Sequence, residues 1–313
     1  HVEYTWLMLM ASQLHSHMQK ILILENTILF KMKLQVFKTL WGHSGSLESA
    51  ISQACRAGFD GLEGPAPGDT VESQKMRSRL NDSNLDYIAE ITTAGTYVPD
   101  RQASLQQHID SFAIKLEYSM LLEPLFITCL GGCDAWDEEK NIEFFVAAMK
   151  LAESAGVTVS FETHRSRAFF NPWVTDRITR QLPDIKLTCD FSHWCVVCER
   201  IIDTEIDILK RLSKHSHHIH ARVGYDQGPQ VPHPGAPEYE PALRSHQSWW
   251  ELIWNQQLNR GQSVTTLTPE FGPDGYLQQR PFTQEPVADL WELNCWMASD
   301  ERRHFDAFSA EKQ

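Results

Sequence analysis

The stretch Ile185-Lys-Leu-Thr-Cys-Asp190-Phe-Ser-His193-Trp194 decides how this chain is read. An apolar run climbs to Asp190, breaks, and presents His193 three residues later. Three other stretches share that form. Val157–Phe161 climbs to Glu162, followed by Thr163 and His164; His218-Ile219-His220 is followed by Ala221 and Arg222; Val264–Pro269 climbs to Glu270. Each is a short β-like run that ends in a side chain able to hold a metal ion. The first two intervals, Glu162 to Asp190 and Asp190 to His220, are close to the ~30 residues of a βα unit. The third is longer. Such spacing puts the four groups at corresponding ends of consecutive parallel strands, and a closed barrel brings those ends together.

Composition agrees with one large α/β barrel. The chain has 313 residues and 42% hydrophobic content, enough for a substantial core. Its 28 Lys and Arg against 41 Asp and Glu give a net charge of −13. That charge repels nucleic acid and anionic membranes, and no local basic patch offsets it. No apolar stretch reaches the length of a membrane span. Seven cysteines without regular spacing fit a reducing compartment better than a disulfide framework, so a cytoplasmic protein is expected.

From Leu34 a βα rhythm runs to the end. Strands are expected at 34–41, 58–63, 85–91, 125–130, 157–162, 185–190, 216–222 and 264–270. Helices are expected at 46–57, 70–82, 101–120, 138–155, 173–181, 199–213, 242–260 and 285–309. Ser104 is a candidate cap, and Gly156 and Pro183 are stop signals. Eight strands alternating with helices predict a single (β/α)8 TIM barrel over 32–313. Residues 1–31 read differently. They are apolar-rich, with an acidic Glu3 and no clear small-residue cleavage site, so they are expected to be an N-terminal extension without a catalytic role.

Glu162, Asp190, Glu270 and the His218/His220 station form an oxygen/nitrogen set. It suits one divalent ion, Mn, Mg, Co or Zn, and the missing thiolate argues against a structural zinc site. His218 and His220 are two apart on a strand and point the same way. One of them is then a packing or supporting histidine. His215 and His217 are expected to face the helices or solvent.

The elements Glu162-Thr-His164, Asp190-Phe-Ser-His193, His218-Ile-His220 and Pro269-Glu270 resemble the xylose isomerase-like TIM barrel superfamily. Within it they are most similar to the sugar phosphate isomerase/epimerase branch, which includes ketose 3-epimerases. The resemblance spans roughly residues 33–300 and is weaker before the fourth strand. It implies one divalent metal held by Glu162, Asp190, His220 and Glu270, with the second His of the His-x-His element as the ligand. It implies too that Glu162 and Glu270 move the substrate proton. His193 would bind a substrate hydroxyl or sit beside the metal, and His164 and Trp41 would line the substrate site. The ketose epimerases carry an Arg six residues after the ligand His. Asp226 stands there in this chain, and Arg222 is read as the substitute cation.

The leading function is therefore a metal-dependent isomerase or epimerase of a small polyhydroxy carbonyl compound, a carbohydrate-like substrate. A metal bridging a carbonyl and its neighbouring hydroxyl acidifies the C–H between them, and a carboxylate within reach removes the proton. A dehydratase of the inosose or dehydroshikimate type uses the same groups. An apurinic endonuclease of this superfamily needs further His residues at the second and third strand ends, where Glu63 and Glu90 stand. A non-catalytic barrel is the remaining reading. An oligomer of identical chains stays open.

Several features have plainer readings. Cys195-Val-Val-Cys198 lacks a partner pair and is taken as a helix start. Gly131-Gly132 is a turn after the fourth strand. Glu63 and Glu90 are substrate contacts or simple loop charge. Trp41 and His43 follow the first strand and face the pocket or the core. Trp249 and Trp250 are helix packing, one of them exposed. The proline-rich loop 223–241 is a candidate lid, and its His233 a surface residue.

Overall fold

The computed structural model describes residues 32–273 and 275–312. The extension 1–31 lies outside the described residues. Eight parallel strands close into a barrel in sequence order: β1 Lys33–Thr39, β2 Gly61–Gly64, β3 Asp86–Thr92, β4 Ile127–Leu130, β5 Val159–Glu162, β6 Lys186–Cys189, β7 Ser216–Ala221 and β8 Val264–Pro269. β1 closes on β8 from Lys33 against Val264 to Val36 against Leu267.

The helices outside it are α1 Leu47–Ala57, α2 Thr70–Asp82, α3 Leu105–Met120, α4 Glu138–Ser154, α5 Pro172–Gln181, α6 Ser192–Val197, α7 Ile206–Leu212, α8 Glu240–Asn259 and α9 Leu290–Glu311. Local chemistry sets their ends. Ser104 and Gln107 make a reciprocal capping box that starts α3 at Leu105, later than the expected 101. Asp289 accepts the Glu292 N–H and starts α9 at Leu290, later than the expected 285. Gly58, at φ 70°, ends α1 in the left-handed conformation that glycine takes without a Cβ clash.

The expected helix 199–213 is corrected. A short helix, α6, begins at Ser192, and Glu199 at φ 50° ends that stretch; a 3-10 turn at Ile202–Glu205 then leads into α7. The cause is Asp190, whose Oδ1 accepts the Ser192 N–H at 3.0 Å and so starts a turn straight after the strand. Cys195 and Cys198 fall in and just after α6, and all seven cysteines are free. Trp249 and Trp250 are both buried, so neither is the exposed one that the sequence suggested. The 223–241 loop is pinned by Val231 N to Val223 O at 2.9 Å and by Gln230, which bonds both backbone groups of Gly272. His233 packs against Trp296 on the outside.

Two apolar layers and one polar layer position the site. Between strands and helices lies the main core, with Phe144, Phe145, Phe161, Trp194, Trp250 and Trp254 fully buried. Inside the barrel, Phe37, Ile88 and Phe126 form a separate apolar plug. Above it the interior turns polar. Thr188 Oγ1 meets Ser160 Oγ at 2.7 Å and Thr128 Oγ1 at 3.2 Å, and His218 Nδ1 meets Thr266 Oγ1 at 2.7 Å. β7 is irregular where it pairs with Leu187 and Thr188, which face Ser216 and His218. The skipped residue, His217, packs on the Phe126 ring, centroids 4.6 Å apart, and keeps part of its surface exposed. No helix among the described residues is long and apolar enough to cross a membrane.

The plug carries a prediction. Phe126→Ala leaves a void beneath His217 and His218 and should cost about 3–5 kcal/mol of stability, as large-to-small core changes do. Denaturant unfolding checks this, and an unchanged midpoint would show that Phe126 supports nothing.

Candidate metal centre

The four strand ends converge. Glu162 closes β5, Asp190 follows β6, His220 lies near the end of β7 and Glu270 follows β8. Each offers one ligand atom, and these atoms lie within 4.8 Å of one another. All four residues are buried. Parallel strands in register explain this, because Thr268 pairs with His220 and Glu162 with Thr188, so the carboxylates emerge at one level.

His220 is oriented from below. Its Nε2 lies 3.0 Å from Glu63 Oε1. Its Nδ1 lies 2.9 Å from Glu270 Oε2 and 3.6 Å from Glu162 Oε1, yet has no well-aligned hydrogen-bond partner. When the ring is neutral and its Nε2 proton is donated to Glu63, the Nδ1 lone pair is left for a cation held among the carboxylates. A carboxylate behind a ring nitrogen, with the other nitrogen turned to an acidic cluster, is the way proteins hold a metal-ligating histidine. The donors therefore fit a divalent cation at Glu162, Asp190, Glu270 and His220 Nδ1. Two further groupings come within ligand range, Glu63 with His218 and His220, and Glu162 with His164 and His193. In the first, the nitrogens and Glu63 already bond one another.

Glu63 is the residue that sequence reasoning placed wrongly. It is 1% exposed and sits under the site, bonded to His220, to His218 at 3.1 Å and to the Thr268 hydroxyl, so it is neither loop charge nor a substrate contact. Burial works to raise its pKa, but His220 and His218 outweigh burial and hold the carboxyl well below its usual range. His218 belongs to this supporting network.

Without a cation the cluster draws positive charge from the protein. Burial opposes a charged His220, yet Glu270, Glu63 and Glu162 outweigh it and raise its pKa well above the usual value. Burial, then Glu270, pushes Glu162 up to about 7. Burial, then Glu270 and Glu162, pushes Glu90 up to about 8. Arg222 is 1% exposed and donates to Asp190, to His193 Nε2 at 2.6 Å and to Ser192 Oγ at 3.0 Å. Its Nη1 has no partner. His193 packs against His164 with the rings tilted and their centroids 3.9 Å apart, and burial, then their neighbours, keep both rings neutral.

A cavity of about 230 Å3 opens beside the cluster. Glu162, Glu270, Arg222 and His164 line one side, Glu90 another, and Trp41, Tyr97 and Tyr276 form an aromatic wall. Trp41 meets Tyr276 edge-on at 4.9 Å, and Arg222 lies 4.8 Å from the Tyr276 ring centre. His43 lies outside this cavity, bonded to Ser49. Tyr97 and Tyr276 were missed because both sit in irregular loops, where no periodicity marks a residue.

No family model matches the sequence, and no curated protein does. Solved structures do match in fold. An L-ribulose 3-epimerase is 13% identical over 90% of this chain and 97% of that chain, with a TM-score of 0.64. The probable 3-DHS dehydratase involved in petrobactin synthesis from Bacillus anthracis is 13% identical over 85% of this chain and 98% of that one, with a TM-score of 0.55. An AP endonuclease, family 2, from Brucella melitensis is 17% identical over 86% and 98%, with a TM-score of 0.56. This chain has the fold that ketose 3-epimerases share with other xylose isomerase-like TIM barrel enzymes.

Proposed function

We propose that this protein is a divalent-metal-dependent isomerase or epimerase of a small polyhydroxy carbonyl compound. One observation carries the reading: Glu162, Asp190, Glu270 and His220 bring four ligand atoms within 4.8 Å of one another, and two of these residues, Glu162 and Glu270, line a sugar-sized cavity. A divalent ion bound there supplies Lewis acidity toward a substrate carbonyl and hydroxyl.

The chain's own groups do the rest. Glu162 and Glu270 lie on β5 and β8, on two sides of the cluster, and both line the cavity. One, as a carboxylate, takes a proton from the carbon beside the carbonyl, and the other, as the carboxylic acid, delivers its own proton to the opposite face or the neighbouring carbon. Glu90, pushed up to about 8, is protonated at neutral pH and donates a hydrogen bond to a substrate hydroxyl. Arg222 holds Asp190 and offers Nη1 to a substrate oxygen, with His164 and Trp41 beside it. His193 braces Arg222 and His164. Trp41, Tyr97 and Tyr276 form the aromatic wall beside the proton path.

Dehydration is the second reading, since a base and the same cation also serve the loss of a β-hydroxyl. The size of the cavity and the −13 charge favour a small molecule over a nucleic acid strand. The ends of β2 and β3 carry Glu63 and Glu90, and Glu63 is committed to the two histidines.

Two outcomes are expected. Mn2+ at one hundred times its dissociation constant should stabilise the protein by about 2.7 kcal/mol. His220→Ala should abolish this gain, and Glu63→Gln should weaken Mn2+ affinity by about 10–100-fold through the misheld ring. Calorimetric titration reads both, and full affinity in His220→Ala would remove that residue from the site. In turnover, Glu162→Gln and Glu270→Gln should each stay folded and lose isomerisation, each failing more severely with one substrate stereoisomer. NMR in deuterated water with a panel of ketoses and inososes checks this. Near-normal exchange in either mutant would take that glutamate out of the proton path, and release of an enone absorbing in the ultraviolet would replace isomerisation by dehydration.

A further inference from the structure

A second cavity, of about 290 Å3, lies outside the barrel between the end of β1, α1 and the start of α9. Lys38 projects into it from β1, although the residue is only 5% exposed. Among the described residues no carboxylate pairs with this lysine. Its one hydrogen bond goes to the Thr39 carbonyl at 3.2 Å, and its ammonium sits 4.8 Å from the centre of the Trp291 ring. An ammonium carries three donors, so two remain unspent. A buried cation without a counter-charge is costly, and the structure shows the cost: burial draws Lys38 down to about 8, against the opposing effect of Cys295.

The lining holds a second unspent group. Gln53, on α1, has its Oε1 buried without a partner. His43 and Ser49, hydrogen-bonded to each other at 2.9 Å, complete that side. The one acidic residue in the lining, Asp289, is exposed at the rim and caps α9 through Oδ1. The lining of the cavity thus offers two unspent ammonium donors from β1, one unspent acceptor from α1, and hydroxyl and imidazole groups. Neither an apolar molecule nor a cation satisfies that arrangement. An oxyanion that also carries a hydroxyl does.

We propose that this outer cavity is a second ligand site, taking a small oxyanion, phosphate or carboxylate, on the Lys38 ammonium with a hydroxyl of the ligand on Gln53. Its inner wall includes Trp41 and Pro269, the first shared with the substrate cavity and the second preceding Glu270. The site does not depend on the chemistry at the metal centre, and the two stand or fall separately.

The test is calorimetric titration of the full chain with inorganic phosphate and, in a separate arm, with acetate, each at constant ionic strength in chloride. Binding of either by the wild type is expected, and the tighter of the two names the source of the oxyanion. Lys38→Met keeps the buried stem, removes the charge, and should weaken binding at least tenfold. Gln53→Leu, on another element, should weaken phosphate more than acetate, and it carries the test should Lys38→Met not fold. Equal phosphate and acetate binding by wild type and both variants, or no binding of either anion by the wild type at millimolar concentration, overturns the proposal.

Discussion

The open end of this barrel depends on the hydrogen bond between Glu63 and His220. Five carboxylates, from Glu63, Glu90, Glu162, Asp190 and Glu270, crowd one region, and all but Glu90 are buried. Unpaired, such a group is expensive to bury. Glu63 turns part of that expense to use. It fixes the ring of His220, and the ring then offers its other nitrogen to Glu162 and Glu270. Arg222 does the matching work for Asp190 from the other side. The remaining negative charge is what a divalent cation would compensate.

The barrel beneath makes this crowding tolerable. Phe37, Ile88 and Phe126 seal its lower interior, and a girdle of Thr128, Ser160, Thr188 and Thr266 separates that seal from the charged layer. The hydroxyls pair among themselves or with His218, so the polar layer adds few unsatisfied groups. Stability resides largely in the plug and the outer core, and chemistry at the strand ends, where a change of side chain leaves the sheet hydrogen bonds untouched.

Much of this was legible in the residues. Eight runs of strand character spaced by helical patterns predicted the closed barrel, and the strand ends at Glu162, Asp190, His220 and Glu270 do meet. Local rules carried those expectations, because a βα unit is read within a short window. The failures are non-local or irregular. Glu63 is 155 residues from His218, and nothing near it in sequence announces that contact. A bulge, which no alternation rule contains, shifts β7 by one residue and sets the half-exposed His217 against Phe126. The turn of helix at Ser192 was missed because a side-chain bond from Asp190, a proposed ligand, starts it. Tyr97 and Tyr276 reach the cavity from loops, where position follows from tertiary packing alone.

Manganese bound to crystals of the protein, located by anomalous diffraction at the metal edge, is the most direct measurement. A single peak within coordination distance of Glu162, Asp190, Glu270 and His220 Nδ1, with Glu63 still bonded to Nε2, is the expected result. A peak held instead by Glu63 and His218, a cluster of three ions, or no ion at the four strand ends would contradict the assignment of this centre.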